Sequence, residues 1–268
     1  MRLLVDHVTR YHYDQPVRGV VQSHRLTPSR FAGQKVQSWE VTVSGGQRGG
    51  GFRDGAGDWV QAWSVTGPVS EITVRVRGCV DTMDLSGLLR RHREAIPPTA
   101  WLHPTAPTRT DAALVDLAHS ASGNGPLALA HALSDAVADA IAYRPGTTHA
   151  HTTAAEALAQ GEGVCQDHTH ALIACARVRD MPARYVSGYL YATDDGTPHE
   201  ASHAWAEVWV ADLGWVGFDP ANRCCPDDRY IRLGSGADAR QAAPIRGIAR
   251  GNGEERLDVT VAIEAAQQ

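Results

Sequence analysis

Two stretches of this chain, "SWEVTVSG" and "EITVRVRGCV", alternate apolar and polar residues with a period of two. That period belongs to strands with one buried face. With "LLVDHVTRYHYD", rich in β-branched and aromatic residues, they make residues 1 to about 85 a small antiparallel sheet or sandwich. The glycine-rich "GGQRGGGFRDGAGD" between them reads as a flexible loop. The tail "ERLDVTVAIEA" alternates again, and a lone strand needs a partner, so residues near 255–265 are expected to return to this sheet.

A different pattern follows. Pro97, Pro98, Pro104 and Pro107 crowd residues 86–110, which read as an extended connector. Beyond it, Leu127, Ala130, His131, Ser134, Val137 and Ile141 recur at helical intervals, and Pro126 suits a helix first turn. "TTAAEALAQG" is a short helix with Thr152 or Thr153 as N-cap and Gly161 at its end. The stretch from Cys165 to Cys175 forms a small, apolar helix, central and buried, which Met181-Pro182 ends. Strands at "ARYVSGYLYA", "HAWAEVWV" and "GWVGFDP" follow, with "TDDGTPHEAS" as a loop.

The chain has 268 residues, 43% of them hydrophobic, which suffices for a sizeable core. A net charge of −5 without a basic stripe argues against nucleic acid. The start is polar within six residues and no run of roughly 18 apolar residues occurs, so a cytoplasmic chain without a membrane span is expected. Five cysteines without a C-x-x-C pair read as reduced thiols, Cys224-Cys225 included.

Cys165 follows a glycine turn at a helix mouth, where open N–H groups stabilise a thiolate or an oxyanion. By position alone it is equally a small buried hydrophobe, the reading that fits Cys175 among alanines. In "SHAWAEVWV" one strand face holds His203, Trp205, Glu207 and Trp209; the other, Ala204, Ala206, Val208 and Val210, suits packing on a helix. His203 is either a base or a satisfied histidine. Asp219 in "FDP" either orients that base or makes a turn. A two-residue hairpin between Asp212 and Leu213 would turn Asp219 away from His203. An odd loop centred on Asp212 or Ala211 brings the two within reach, so an odd loop or a bulge is expected.

"GVCQD", "PARYVSGYL", "SHAWAEVW" and "GWVGFDPAN", in this order, resemble the motifs of the transglutaminase-like superfamily, and more closely its bacterial cysteine-peptidase-like members. "HVTRYHYDQPV", the Gly33, Gln34 and Val36 pattern, and the ending "PDDRYIRLGSGADARQAAPIRGIARG" resemble the β-rich N-terminal domain and the tail of those proteins, so the likeness spans nearly the whole chain. The resemblance implies an α+β fold in which an N-terminal antiparallel β-domain joins a papain-like core, the helix bearing Cys165 packed on an antiparallel sheet. The core is expected over 111–235 and an extension over 236–268. It implies Cys165 as nucleophile, His203 as general base and acid, and Asp219 as the group orienting His203. It implies acyl transfer on amide bonds of a peptide or protein substrate without a cofactor: hydrolysis, or transglutamination through the same acyl-enzyme. A non-catalytic binding module on the same fold is the alternative. His168 in place of an aromatic, Ala221 in "FDPAN" and the degraded "GSGADA" depart from the family pattern and bear on substrate preference.

Gln166 and Trp205 are further candidates for substrate contact, and Tyr143 for an oxyanion donor. Trp205, Trp209 and Trp215 line a cleft or belong to the core. His149-x-His151 and His168-x-His170 do not make a metal site, because residues two apart on a helix do not share a face.

Overall fold

The computed structural model describes residues 1–191 and 202–266. Most of the expected loop "TDDGTPHEAS" therefore lies outside the described residues.

Two long strands, β1 (Arg2–His24) and β4 (Trp59–Thr82), run antiparallel from Arg2↔Asp81 to His24↔Gln61 and frame the first sheet. Leu3, Val5, Tyr11 and Tyr13 alternate inward along β1, and Ile72, Val74, Val76 and Val80 do so along β4. Between them, β2 (Gln34–Val43) pairs with the C-terminal half of β4, and β3 (Gly46–Arg53) pairs with its N-terminal half. Register shifts between His12 and Gly19 bend β1 midway, dividing the sheet into two halves.

β3 corrects the expectation of a loop at "GGQRGGG". The segment is held in the ladder by β4 residues Trp59–Val65, whose strand preference outweighs the entropy that glycine loses. Its glycines sit where the register slips between Arg48 and Gly51, and a Cβ at Gly51 would run into the Trp59 ring.

The proline-rich stretch is pinned to the core, in contrast to a free extended connector. Residues Pro98–Leu102 form a 3-10 turn, Trp101 is buried edge-on against Trp215, and Arg177 Nε donates to Trp101 O at 2.7 Å. Next come α1 (Ala112–Ser120), capped by Asp111; α2 (Pro126–Ala140); and the two-residue strand β5 (Ala142–Tyr143). α3 (Ala154–Gln160) starts in a Thr153–Glu156 capping box and ends at Gly161 in the left-handed conformation. Within α2, Leu127 and His131 stay exposed, while Ala130, Leu133, Ser134, Val137 and Ala138 face inward.

β6 (Glu162–Gly163) leads into α4 (Cys165–Val178), buried from Asp167 to Ala176. The second sheet, ordered β10-β7-β8-β9, comprises β7 (Ala183–Leu190), β8 (Ser202–Val210), β9 (Gly214–Phe218) and β10 (Tyr230–Gly236), all antiparallel. Ala204, Ala206, Val208 and Val210 of β8 share one core with α4, so small residues let helix and sheet approach closely. The short helix α5 (Ala239–Ala242) precedes β11 (Ile245–Ala249) and β12 (Glu255–Ala265). β12 pairs with the first half of β1, from Leu3↔Ala265 to Tyr13↔Glu255, and β11 with the second half.

Tyr189, Ile231 and Leu233 of the second sheet enter the core of the first. Beside them lies a buried ionic network. Arg232 Nη1 reaches Asp58 Oδ1 at 2.6 Å, and its Nε reaches Glu207 Oε1 at 2.8 Å. Arg184, its guanidinium 4.0 Å from the centre of the Trp215 ring, donates to Glu207 and Glu94. Asp58 comes from the first sheet's connection and Arg232 from the second sheet, so charges at the seam fix how the two halves dock.

Candidate active site

Cys165 is the first residue of α4 and is partly exposed. The turn before it is tied down from two sides. Ala142 N donates to Gly161 O and Arg144 N to Gly163 O, both at 2.8 Å, joining the turn to the end of α2. Asp167, in the first turn, accepts from Val164 N at 2.8 Å and from Thr148 Oγ1 at 2.6 Å, so it caps the helix. Intrahelical bonding starts with Asp167 N and His168 N on Val164 O, which leaves the amides of Cys165 and Gln166 ahead of it at the positive end of the helix dipole.

The hairpin from β8 to β9 decides whether His203 meets Asp219. Val210↔Gly214 and Ala206↔Phe218 are partners, so the loop is the odd triplet 211–213 centred on Asp212, which has a left-handed φ of 67°. This register makes Asp219 a diagonal neighbour of His203. His203 Nε2 donates to Asp219 Oδ2 at 2.6 Å, with both side chains buried. Asn222 Nδ2 lies 3.2 Å from the same ring nitrogen, and the Cys165 side chain acts on the ring by hydrogen bonding and charge. Burial acts to lower the proton affinity of His203, but hydrogen bonds and charge from Asp219 and Cys165 outweigh it and push its pKa up to about 10. Asp219, for which burial alone acts upward, is held below the usual carboxylate range by His203, Asn222 and Tyr230.

Asn222 and Tyr230 were not singled out in the sequence. Asn222 Nδ2 donates to Asp219 Oδ2 at 2.7 Å, and Tyr230 Oη donates to the same oxygen at 2.8 Å. The signal for Asn222 was its place three residues after Asp219, a turn spacing. Tyr230 lies in the ending "PDDRYIRLGSGADARQAAPIRGIARG", which resembles the family's tail but carries no strand or site reading.

Trp205 takes the core alternative. It is 3% exposed, stacked along His203 and edge-on to Tyr230, so it backs the histidine and offers a substrate no surface. Gly188 stands opposite His203, where a Cβ would strike the Ile231 carbonyl oxygen and the Trp205 ring. Trp215 is also buried, while Trp209 is half-buried. Gln166 is half-buried, its amide 3.5 Å from His149 O. Tyr143 is 52% exposed and pairs with Gly163, two residues before Cys165, its ring near that of His168.

His168 has Nδ1 2.9 Å from Val164 O and Nε2 2.8 Å from Ile141 O. The imidazole thus clamps the first turn of α4 to the end of α2. Among the described residues no three His, Cys, Asp or Glu side chains cluster as metal ligands, and no helix is long and apolar enough to cross a membrane.

The model of the Transglutaminase-like superfamily matches residues 116–220, which include Cys165, His203 and Asp219. That of the Bacterial transglutaminase-like N-terminal region matches residues 3–81. Two mycobacterial relatives, uncharacterized protein ML0607 of Mycobacterium leprae and uncharacterized protein Rv2569c of Mycobacterium tuberculosis, are each 32% identical. The alignments cover 98% of both chains for ML0607, and 97% of this chain and 91% of the relative for Rv2569c.

The chain belongs to the transglutaminase-like superfamily.

The fold of this transglutaminase-like protein is shared with a crystal structure titled "a Putative Cysteine Protease from Cytophaga hutchinsonii", with a TM-score of 0.74, 20% identity, and coverage of 100% of this chain and 92% of that one. The α+β architecture, with a cysteine-bearing helix on an antiparallel sheet, is that of the papain-like core. Membership places the chain in a family built on cysteine-based acyl transfer, and within that family the particular reaction is a matter of the site.

Proposed function

We propose that this protein cleaves amide bonds of peptide or protein substrates through Cys165, His203 and Asp219. The observation that carries the reading is the ordered contact of Cys165 with His203 and of His203 with Asp219, the latter at 2.6 Å, at the mouth of a buried helix. A structural cysteine has no need of a histidine whose other nitrogen is anchored to a buried carboxylate.

In this mechanism the Cys165 sulfur, as thiolate beside the His203 imidazolium, attacks the carbonyl carbon. The oxygen that becomes negative takes a hydrogen bond from the Cys165 amide at the head of α4. The imidazolium gives its proton to the amide nitrogen, the C–N bond breaks and the amine departs, leaving a thioester. Neutral His203 then takes a proton from water as the water oxygen adds to the thioester carbonyl. The C–S bond breaks, the acid leaves, and the thiolate–imidazolium pair is restored. Asp219 holds the ring in place and favours its charged form. An amine in place of water gives transglutamination from the same thioester. Hydrolysis is favoured because Cys165 keeps part of its surface in solvent, where water is the abundant nucleophile.

The test is to incubate the protein with a peptide and protein library, quench in acid and read residue 165 by mass spectrometry. An acyl adduct on Cys165, absent from Cys165→Ala, is the expected result, with turnover abolished and the melting temperature of the variant within a few degrees of the parent. Turnover that survives in Cys165→Ala overturns the assignment.

A further inference from the structure

The bend in the first sheet opens a groove of about 450 Å³ between its two halves. Trp39 of β2 and Trp59 and Trp63 of β4 line it, and Arg30, Arg48 and Arg53 stand at its exposed rim. Glu40 is the one carboxylate among the described residues that line it.

Among the described residues no carboxylate forms an ion pair with these arginines. Arg48 Nε donates to the Gln61 amide oxygen at 3.1 Å, and Arg53 Nη1 donates to Gly57 O at 2.8 Å while its guanidinium lies 5.8 Å from the centre of the Trp59 ring. The nearby aspartates are engaged elsewhere, Asp54 with Arg25 and Asp58 with Arg232. Burial and then the charge of Arg30 lower the proton affinity of Arg53, which places like charges close together. Asp58 and Asp54 offset this only in part, so the collected cations are unfavourable and an anion relieves them.

The wall is polar where a closed sandwich would be apolar. Gln22, His24 and Gln61 are buried on this half of the sheet, and His24 Nδ1 and Trp63 Nε1 are buried without hydrogen-bond partners. Among the described residues the outer edges of β2 and β3 pair with no further strand. On β3, Gly50 lies where the register slips, and a side chain there would meet nothing within 4 Å, so that face is open.

We propose that this groove binds an extended acidic peptide segment, its main chain added to the β3 edge, its carboxylates on Arg30, Arg48 and Arg53, and its apolar side chains against the tryptophans. The open strand edge favours a peptide over an anionic sugar, which has no matching ladder of amides. That the segment belongs to the acyl-transfer substrate rests on the function proposed above; the binding itself does not.

The test uses full-length Cys165→Ala protein, so that a failed groove and a failed nucleophile give separate answers. An oligoglutamate peptide, a Gly-Ser peptide of equal length and an oligogalacturonate are titrated by calorimetry and tryptophan fluorescence. Oligoglutamate is expected to bind tighter than the other two, to weaken as salt rises, and to lose about tenfold in affinity in Arg30→Gln/Arg53→Gln. Arg30→Gln alone, an exposed side chain with no hydrogen bond among the described residues, keeps the test valid should the double variant melt early. Equal binding of oligoglutamate and the Gly-Ser peptide, no change in the arginine variants, or binding of the sugar in preference to the peptide would each overturn the proposal.

Discussion

Replacing Asp58 by Ala tests how the two sheets are joined. Asp58 is fully buried, and Arg232 is 2% exposed on its side chain. One carboxylate oxygen accepts from Arg232 Nη1 at 2.6 Å and Ser29 Oγ at 2.8 Å; the other accepts from Ser235 N at 2.8 Å and Ser235 Oγ at 2.7 Å. Removal leaves a buried guanidinium with Glu207 as its remaining anion, and a buried Ser235 amide without an acceptor. Breaking a buried pair from one side costs about 3–5 kcal/mol, and an orphaned buried amide alone costs about 1–3 kcal/mol. Because Glu207 persists, the lower part of that range applies, about 3–4 kcal/mol, or roughly 6–16 °C in melting temperature at about 2–4 °C per kcal/mol. Urea melts followed by circular dichroism and tryptophan fluorescence measure it, with Asp58→Asn as the variant that keeps shape and drops charge. In a cycle with Arg232→Met, the double variant should lose less than the sum of the singles. A loss below about 1 kcal/mol for Asp58→Ala, or strictly additive losses, would refute the view that this seam is held by a desolvated charge network.

Glu207 sets the acid limit of the same network. Burial acts to raise its pKa, but Arg232 and Arg184 bring it from an ordinary 4.5 down to about 2. A depressed folded value means that its contribution is complete above about pH 4.5 and disappears as the pH falls toward 2; stability flat across that window would contradict the pairing. Asp219→Asn should leave the fold intact and lower turnover by about a thousandfold or more, because His203 loses the anion that favours its charged form; unchanged rates remove Asp219 from the mechanism. Tyr230→Phe keeps the ring against Trp205 and deletes one of the hydrogen bonds to Asp219, so a loss of about tenfold in kcat with KM unchanged is expected, and full activity would show that bond to be dispensable.

Much of this protein was legible before its coordinates. The alternating segments around Trp39 and Val74, the caps at Thr153 and Gly161, and the small apolar face of β8 follow from local rules: a period of two, a side-chain oxygen at a helix start, a left-handed glycine at its end. The order of Cys165, His203 and Asp219, and the need for an odd loop if the last two were to meet, also came from residues and register alone. Tertiary contact settled the rest, because it joins groups that no local pattern links. A glycine run became β3 since β4 offered it a ladder, and Trp205 went inward behind His203 since Gly188 left room for its ring. Tyr230 reached Asp219 from another strand, and Arg232 was buried between Asp58 and Glu207, which are distant in sequence. Periodicity reports which face of an element is buried; which charges and rings meet across that face depends on the packing of elements distant in sequence.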